Sequence, residues 1–594
     1  MTSIESIIQA ATSKALKTLF DADFSANQVT INDTRKEFEG DVTVVIFPLL
    51  RFTKKKPEES GEMIGAFLKE HLEIVEHFNV VKGFLNIGLT KAYWQNVLQD
   101  IYDKDQFAFG QPSGQTIMVE YSSPNTNKPL HLGHLRNNIL GFAVSGLLEA
   151  NGHKVIKTNL INDRGIHICK SMIAWQKWGN GETPESTGMK GDHLVGKYYV
   201  EFDKQYKAQI QELVDNGTTE AEAKKQAPLM LETQEMLRQW EAGNEEVRAL
   251  WQKMNQWVYD GFAITYKNIG VSFDQMYYES DTYLLGKEVV LEGLNKGIFF
   301  KKEDGSVWVD LTDRGLDEKI LLRADGTSVY ITQDIGTADK KYADHKMDRS
   351  LYVVGNEQDY HFKVLKEICL KLERPHAEGI QHFSYGMVDL PSGKMKSREG
   401  TVVDADDLMA EMIATVKQRT EELGKIEGFT DEEAEELFRT IALGALKFFL
   451  LRIEPRKGML FNPEESIDFH GYTGTFTQFN YARIRSIVRK FESKTEIPNL
   501  IPKVDWEALE MDLIQTVSRF PRMLADAGEQ LNPAAVVDYA YNLAKSYSKY
   551  YAEVPILGVQ DENVKTFRVM LSSLVARTIQ QAFAIMGINV PERM

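Results

Sequence analysis

Thiols are almost missing from this sequence: of 594 residues only Cys169 and Cys369 are cysteines, with no C-x-x-C pair. Two isolated thiols exclude a disulfide framework and a cysteine-built zinc site, and they fit a reducing compartment, the cytoplasm. Long apolar runs are missing as well. The strongest, Ile441 to Ile453, is interrupted by Lys447 and Arg452, so no membrane-spanning segment is expected. The first twenty residues are amphipathic but mix acid with base and lack the apolar core of a leader, so they read as a surface helix. Positive charge is scarce: 69 Lys and Arg against 86 Asp and Glu leave a net charge of −17. The molecule as a whole repels polyanions, and any nucleic acid must be met by local basic patches. No fixed-period repeat runs through the chain.

What remains is an ordinary globular composition, 43% hydrophobic and 26% charged, in a chain long enough for several domains. Residues 1–112 read as a small α+β unit: an opening helix, the β-rich run Val42 to Phe47, a helix from about Glu62 to Val75, and a strand-like run from Val80 to Ile87. Gly110, Pro112, Ser113 and Gly114 mark its end. Strands then alternate with helices: Thr116 to Tyr121, a helix from His131 to Asn151, and Lys154 to Ile161. This is the rhythm of a parallel α/β sheet, and it resumes at Val307 to Leu311, Ser328 to Thr332 and Ser350 to Val354. The interruption at about 188–265, polar and containing Trp240, Trp251 and Trp257, reads as a helical insertion. The α/β domain so predicted covers 113–400, followed by a helical connective region over 401–470 and an all-α, aromatic-rich bundle over 471–594.

The sharpest local signal is His131-Leu132-Gly133-His134, after a strand and a turn-rich loop and at the start of a helix. Composition predicts only about 0.02 chance matches to H-x-G-H. Free N–H groups and partial positive charge at a helix start suit phosphate, Gly133 lets the backbone approach a nucleotide, and two imidazoles can donate to phosphoryl oxygens during in-line displacement. The alternative is a pair of capping or surface histidines; zinc lacks a third ligand nearby. A second segment, Gly393-Lys394-Met395-Lys396-Ser397-Arg398-Glu399-Gly400, is a glycine-bounded basic loop able to neutralise a triphosphate, or else a solvated turn.

The two segments together resemble the HIGH and KMSKS signatures of class I aminoacyl-tRNA synthetases, and further stretches narrow the resemblance to the arginyl-tRNA synthetase family. These are Val119 to Asn125 running on to Lys128-Pro129-Leu130-His131, Val329 to Gly336, Tyr352 to Gly355 with Gln358 and His361, and the ending Pro591-Glu592-Arg593-Met594. The resemblance implies a Rossmann-type catalytic domain with an N-terminal domain for the tRNA elbow and a C-terminal anticodon-binding bundle. It implies formation of arginyl-adenylate from L-arginine and ATP, with Mg²⁺ accompanying ATP, no resident metal and no zinc. Transfer to tRNA(Arg) then proceeds through the 2′-hydroxyl of the terminal adenosine, in an enzyme that is usually a monomer and needs bound tRNA for activation.

A guanidinium calls for carboxylates and neutral acceptors, which Asp334 and Tyr330, expected at a strand end, and Glu120, ending the first strand, can supply. By resemblance Ser122, Asn125 and Gln358 line the arginine pocket, Asn125 at the amino and carboxylate end. The same resemblance gives ATP His131, Gly133, His134, His361, Lys128, Lys394, Met395, Lys396 and Ser397, with His131, His134 and Lys394 catalytic. The second signature departs from the class pattern, since Ser397 stands where its second lysine is usual; Lys128, Lys396 and Arg398 are the candidate replacements. Phe38 to Asp41 and Gly83 to Asn86 match the family's N-terminal domain only in part. For tRNA, Tyr481, Arg485 and Arg489 fall in a stretch of interleaved aromatic and basic residues, suited to stacking and phosphate contact or simply to core and solvent. The rival readings are another class I synthetase, a small-molecule adenylyltransferase, and a catalytically silent RNA-binding relative.

Overall fold

Short β-branched runs build the central sheet. In the computed structural model, which describes residues 4–35, 37–390, 403–422 and 428–594, five parallel strands lie side by side: β1 (Thr116–Glu120), β2 (Lys154–Ile161), β3 (Gln275–Tyr278), β4 (Arg349–Gly355) and β5 (Ile380–Tyr385). Their spatial order is β5-β4-β1-β2-β3. The chain moves from β1 outward to β2 and β3, then returns to the other side of β1 for β4 and β5. That reversal opens a crevice at the carboxyl ends of β1 and β4, the usual ligand site of such sheets.

Between β1 and β2 runs α1 (Leu132–Ala150), with fourteen of its nineteen residues buried. A helix buried nearly all round belongs inside the core. It seats against the ring of Tyr121, which leaves no space for a Cβ at Gly141. Two further helices frame the crevice, α2 (Tyr330–His345) before β4 and α3 (Asp359–Lys371) after it. The insertion is helical, with long helices at Gly191–Asp215, Pro228–Glu241 and Glu245–Ile269. Trp240 is in its core, while Trp251 donates to the Asp163 carbonyl at 2.7 Å.

The chain divides into two compact units, one of residues 1–107, 495–518 and 556–574, the other of 108–494, 519–555 and 575–594. The first holds a four-stranded antiparallel sheet that includes Val42–Val45, Val75–Val81 and Phe84–Leu89. The run read as one strand from Val80 to Ile87 is the bend of a hairpin: Lys82 and Gly83 take φ of 51° and 76°, a left-handed pair that reverses the chain in two residues. The preceding helix spans Pro57–His71, and Val75 already belongs to a strand. In the second unit, Val307–Val309 lies in a separate three-stranded antiparallel sheet rather than the parallel one. The expected strand Ser328 to Thr332 is the start of α2, where burial of Ile331, Thr332 and Ile335 outweighs the β preference of Val-Tyr-Ile-Thr. Beyond Val403 the chain is mostly helical, with α4 (Gly474–Glu492) opening the C-terminal region.

Candidate active site

The loop leaving β1 is strained. Ser122 and Ser123 hold φ of 78° and 45°, unusual for residues with a Cβ. The bend survives because it is pinned from several sides: Asn137 of α1 accepts the Ser122 N–H at 2.5 Å, Asn159 of β2 accepts the Ser123 N–H at 3.0 Å, and Ser122 Oγ meets the Tyr266 hydroxyl at 2.7 Å. Asn137 also donates to the Val353 carbonyl of β4 at 2.7 Å, tying both walls of the crevice together. Asn125 follows, exposed and bridged to Asn162.

At the start of α1 the two histidines cap the helix. Gly133 N–H donates to His131 Nδ1 at 3.1 Å, and His131 N–H donates to His134 Nδ1 at 3.2 Å, a reciprocal capping box. The capping and phosphate readings are therefore not rivals. With both Nδ1 atoms accepting, each ring carries its proton on Nε2, and among the described residues that N–H is left to donate. Burial, then the nearby Lys128 charge, pushes His131 down to about 4. Burial, His131 and Lys128 hold His134 well below its ordinary range. Both imidazoles are neutral at physiological pH, with ring centres 3.9 Å apart. Burial also lowers the Lys128 amine.

The candidates Lys394, Met395, Lys396 and Ser397 lie outside the described residues. The chain re-enters beside the histidines: Leu132 N–H donates to the Val403 carbonyl at 3.2 Å, and Ala405 N–H to the Leu130 carbonyl at 2.9 Å.

Across the crevice Asp334, on the second turn of α2, meets His361 of α3 at 2.6 Å from Oδ2 to Nε2. Tyr330 begins α2, 77% exposed, and Gln358 is exposed in the turn that precedes α3. Tyr330 and Asp334 thus share a helix face four residues apart, where a strand end was expected. Glu120 is buried and ion-paired with Lys341 of α2, itself buried 5.1 Å from the Tyr352 ring. Its charge is already compensated.

Two acids went unnoticed in the sequence. Asp163, just beyond β2, accepts from Ser280 N–H, Ser280 Oγ and Tyr259 at 2.7–2.9 Å. Glu279, just beyond β3, is pushed up to about 7 by burial, with Asp163 and Asp334 adding and Arg164 opposing. Glu279 thus feels both Asp163 and Asp334, an electrostatic setting that a cation would relieve. Their position directly after parallel strands was the only signal available.

Among the described residues, the ligand atoms of Asp192, His193 and Asp406 lie close enough to share a metal ion. The Lys190 ammonium already pairs with Asp406, and with Asp192 at 3.1 Å, so it fills the cationic role itself.

On α4, Tyr481 is buried, with its hydroxyl donating to Glu592 Oε1 at 2.7 Å. Arg485 Nε donates to Glu592 Oε2 at 2.8 Å, and Arg489 to the Glu592 carbonyl at 2.9 Å. Further along the C-terminal region, Tyr547 and Tyr550 are core, while Tyr551, 45% exposed, stacks with the Arg483 guanidinium at 4.8 Å.

Residues 96–461 match the family described as tRNA synthetases class I (R), catalytic domain, and residues 477–594 match the DALR anticodon binding domain. The chain is 54% identical to an arginine–tRNA ligase of Bacteroides fragilis and 53% identical to one of Amoebophilus asiaticus, with 100% of each chain covered. Among solved structures it is similar to arginyl-tRNA synthetase from Thermus thermophilus, TM-score 0.81 over 100% of both chains at 24% identity, a likeness of fold.

Proposed function

The chain belongs to the arginyl-tRNA synthetase family of class I aminoacyl-tRNA synthetases, joining L-arginine to tRNA(Arg) with ATP for protein synthesis, and from that premise we propose which side chains carry each step. Asp334 takes the guanidinium. His361 holds one of its oxygens, which leaves the other for the planar cation, with Tyr330 beside it as a neutral acceptor and Gln358 closing the pocket. Glu279, near Asp163 and Asp334, is left close to half protonated near neutral pH by burial, and a bound cation draws it to its charged form, while Glu120, paired with Lys341, forms the floor. Ser122 and Asn125 hold the amino and carboxylate end of the substrate.

The arginine carboxylate is already an anion, so attack on the α-phosphorus needs no general base. Its oxygen bonds to phosphorus as the bond to pyrophosphate breaks, and no proton moves. Catalysis is then positioning and stabilisation of developing charge. His131 and His134 do this as neutral Nε2–H donors, with Gly133 giving close backbone approach and Lys128, Lys394 and Lys396 supplying cations around ATP, which arrives with Mg²⁺; Met395 and Ser397 belong to the same ATP loop. In the second step the 2′-hydroxyl of the terminal adenosine attacks the arginyl carbonyl, AMP leaves, and the hydroxyl proton passes to the departing phosphate or to water. Arg485 and Arg489 meet tRNA phosphates, with Tyr481 bracing them from within. The enzyme acts as a monomer, as is usual for its family, and in the cytoplasm, where tRNA(Arg) and ATP meet.

The observation that carries the catalytic assignment is the commitment of both Nδ1 atoms to backbone N–H groups. ATP–pyrophosphate exchange with each amino acid, with and without tRNA, tests the reading. Exchange with arginine alone and only in the presence of tRNA is expected; exchange with another amino acid would overturn the pocket.

A further inference from the structure

A cavity of about 390 Å³ opens beside the crevice, between α3 and the edge strand β5. Asn356, Asp359, Phe362, Lys363 and Lys366 line it from α3 and the turn before it, His382 from β5, and Arg456 closes it. Its lining residues Asn356, Asp359 and Phe362 flank Gln358 and His361 in the sequence. Phe362 stacks on His382 at 4.6 Å to make one flat wall.

Its charge is lopsided. The one acid, Asp359, faces His382 Nδ1 at 2.9 Å, and Lys366 donates to the Glu378 carbonyl at 2.8 Å. Among the described residues, Lys363 and Arg456 have no carboxylate within 4 Å, although both are exposed. Unpaired cations converging on one pocket stand out in a chain of net charge −17. Arg456 is also held in place deliberately. Arg136 of α1, fully buried two residues after His134, donates to the Pro455 and Lys457 carbonyls at 3.1 and 2.7 Å, and Gly386 N–H donates to Pro455 at 2.9 Å. The histidine-bearing helix thereby fixes the turn that presents Arg456.

We propose that this pocket is a phosphate subsite for the acceptor strand of tRNA, in which Lys363 and Arg456 hold a backbone phosphate upstream of the reacting adenosine. The inference rests on the active-site reading above. A phosphodiester strand and a free polyphosphate share the chemistry the pocket recognises, and the strand fits better because both cations are exposed, within reach of a long polyanion. With its overall negative charge, the protein must draw the tRNA end in through local cations of this kind.

The test is the full-length double variant Lys363→Gln/Arg456→Gln, assayed for arginine charging over a range of tRNA and salt concentrations. The expected result is a tRNA KM about tenfold higher and a salt dependence shallower by about 0.7, one single-strand phosphate contact. Arginine and ATP KM and inhibition by pyrophosphate should stay parental, and Lys363→Arg/Arg456→Lys should restore tRNA KM. Weakened pyrophosphate inhibition with parental tRNA KM would assign the pocket to free polyphosphate and overturn the proposal, as would no change in either. Charging by the parent and by His131 variants reports on the active-site reading separately.

Discussion

Two long helices carry candidate functional side chains and hold them in opposite ways. On α1 the imidazoles of His131 and His134 are fixed by N–H groups two and three residues away. On α4 Tyr481, Arg485 and Arg489 are fixed by Glu592, 103 to 111 positions further along. Local fixing makes a rigid donor pair whose geometry is set before any ligand arrives. Distant fixing by one exposed carboxylate makes a patch whose anion can be exchanged for another. Reaction chemistry gains from the first arrangement, and reversible polyanion binding gains from the second.

The comparison can be broken first at the crevice. Asp334→Asn removes the charge facing the guanidinium but keeps its shape, so arginine KM should rise roughly a hundredfold or more while ATP KM changes little; steady-state exchange kinetics check this. Glu279→Gln removes a carboxyl that a bound cation draws to its charged form, and a rise in arginine KM of about fivefold is expected in the same assay.

A subtler break uses pH. His131 sits near 4 in the folded protein against 6.5 as its ordinary value. The unfolded chain therefore binds the proton first, and stability is lost as pH falls from about 6.5 toward 4, while above 6.5 this group contributes no slope. Melting temperatures across that window should fall less for His131→Asn, which caps without titrating, than for the parent. The smallest effect belongs to α4. Exposed ion pairs contribute about 0 to 1 kcal/mol, so Glu592→Gln should barely change stability. It should lower tRNA KM about twofold and steepen its salt dependence, since Arg485 and Arg489 lose their anion; a parental salt slope would show that the patch does not meet phosphate.

The same contrast explains what the sequence disclosed. β1, the α1 pattern and the histidine turn were legible because each is decided within a few residues, by β-branching, apolar spacing and a cap. The start of α2 was misread because Val329 to Thr332 prefers β locally and burial decides otherwise. The hairpin at Lys82-Gly83 was missed because two left-handed residues interrupt a continuous apolar run. Pairing of Glu120 with Lys341, the field at Glu279 and the hold of Glu592 on α4 depend on residues brought together only by folding. Motif and family resemblance located the chemistry, but they carry no information about which charges arrive already paired.

The central claim is that each capping histidine divides its ring, Nδ1 for the helix and Nε2–H for the phosphoryl group. Arginine-dependent ATP–pyrophosphate exchange by His131→Asn and His131→Gln, measured side by side, tests it most directly. An Asn amide reaches the Nδ1 position and a Gln amide the Nε2 position. The account predicts that Gln retains at least tenfold more exchange than Asn, which falls roughly a hundredfold or more below the parent, as for loss of one charge-stabilising donor. Equal rates, or a faster Asn enzyme, would contradict it.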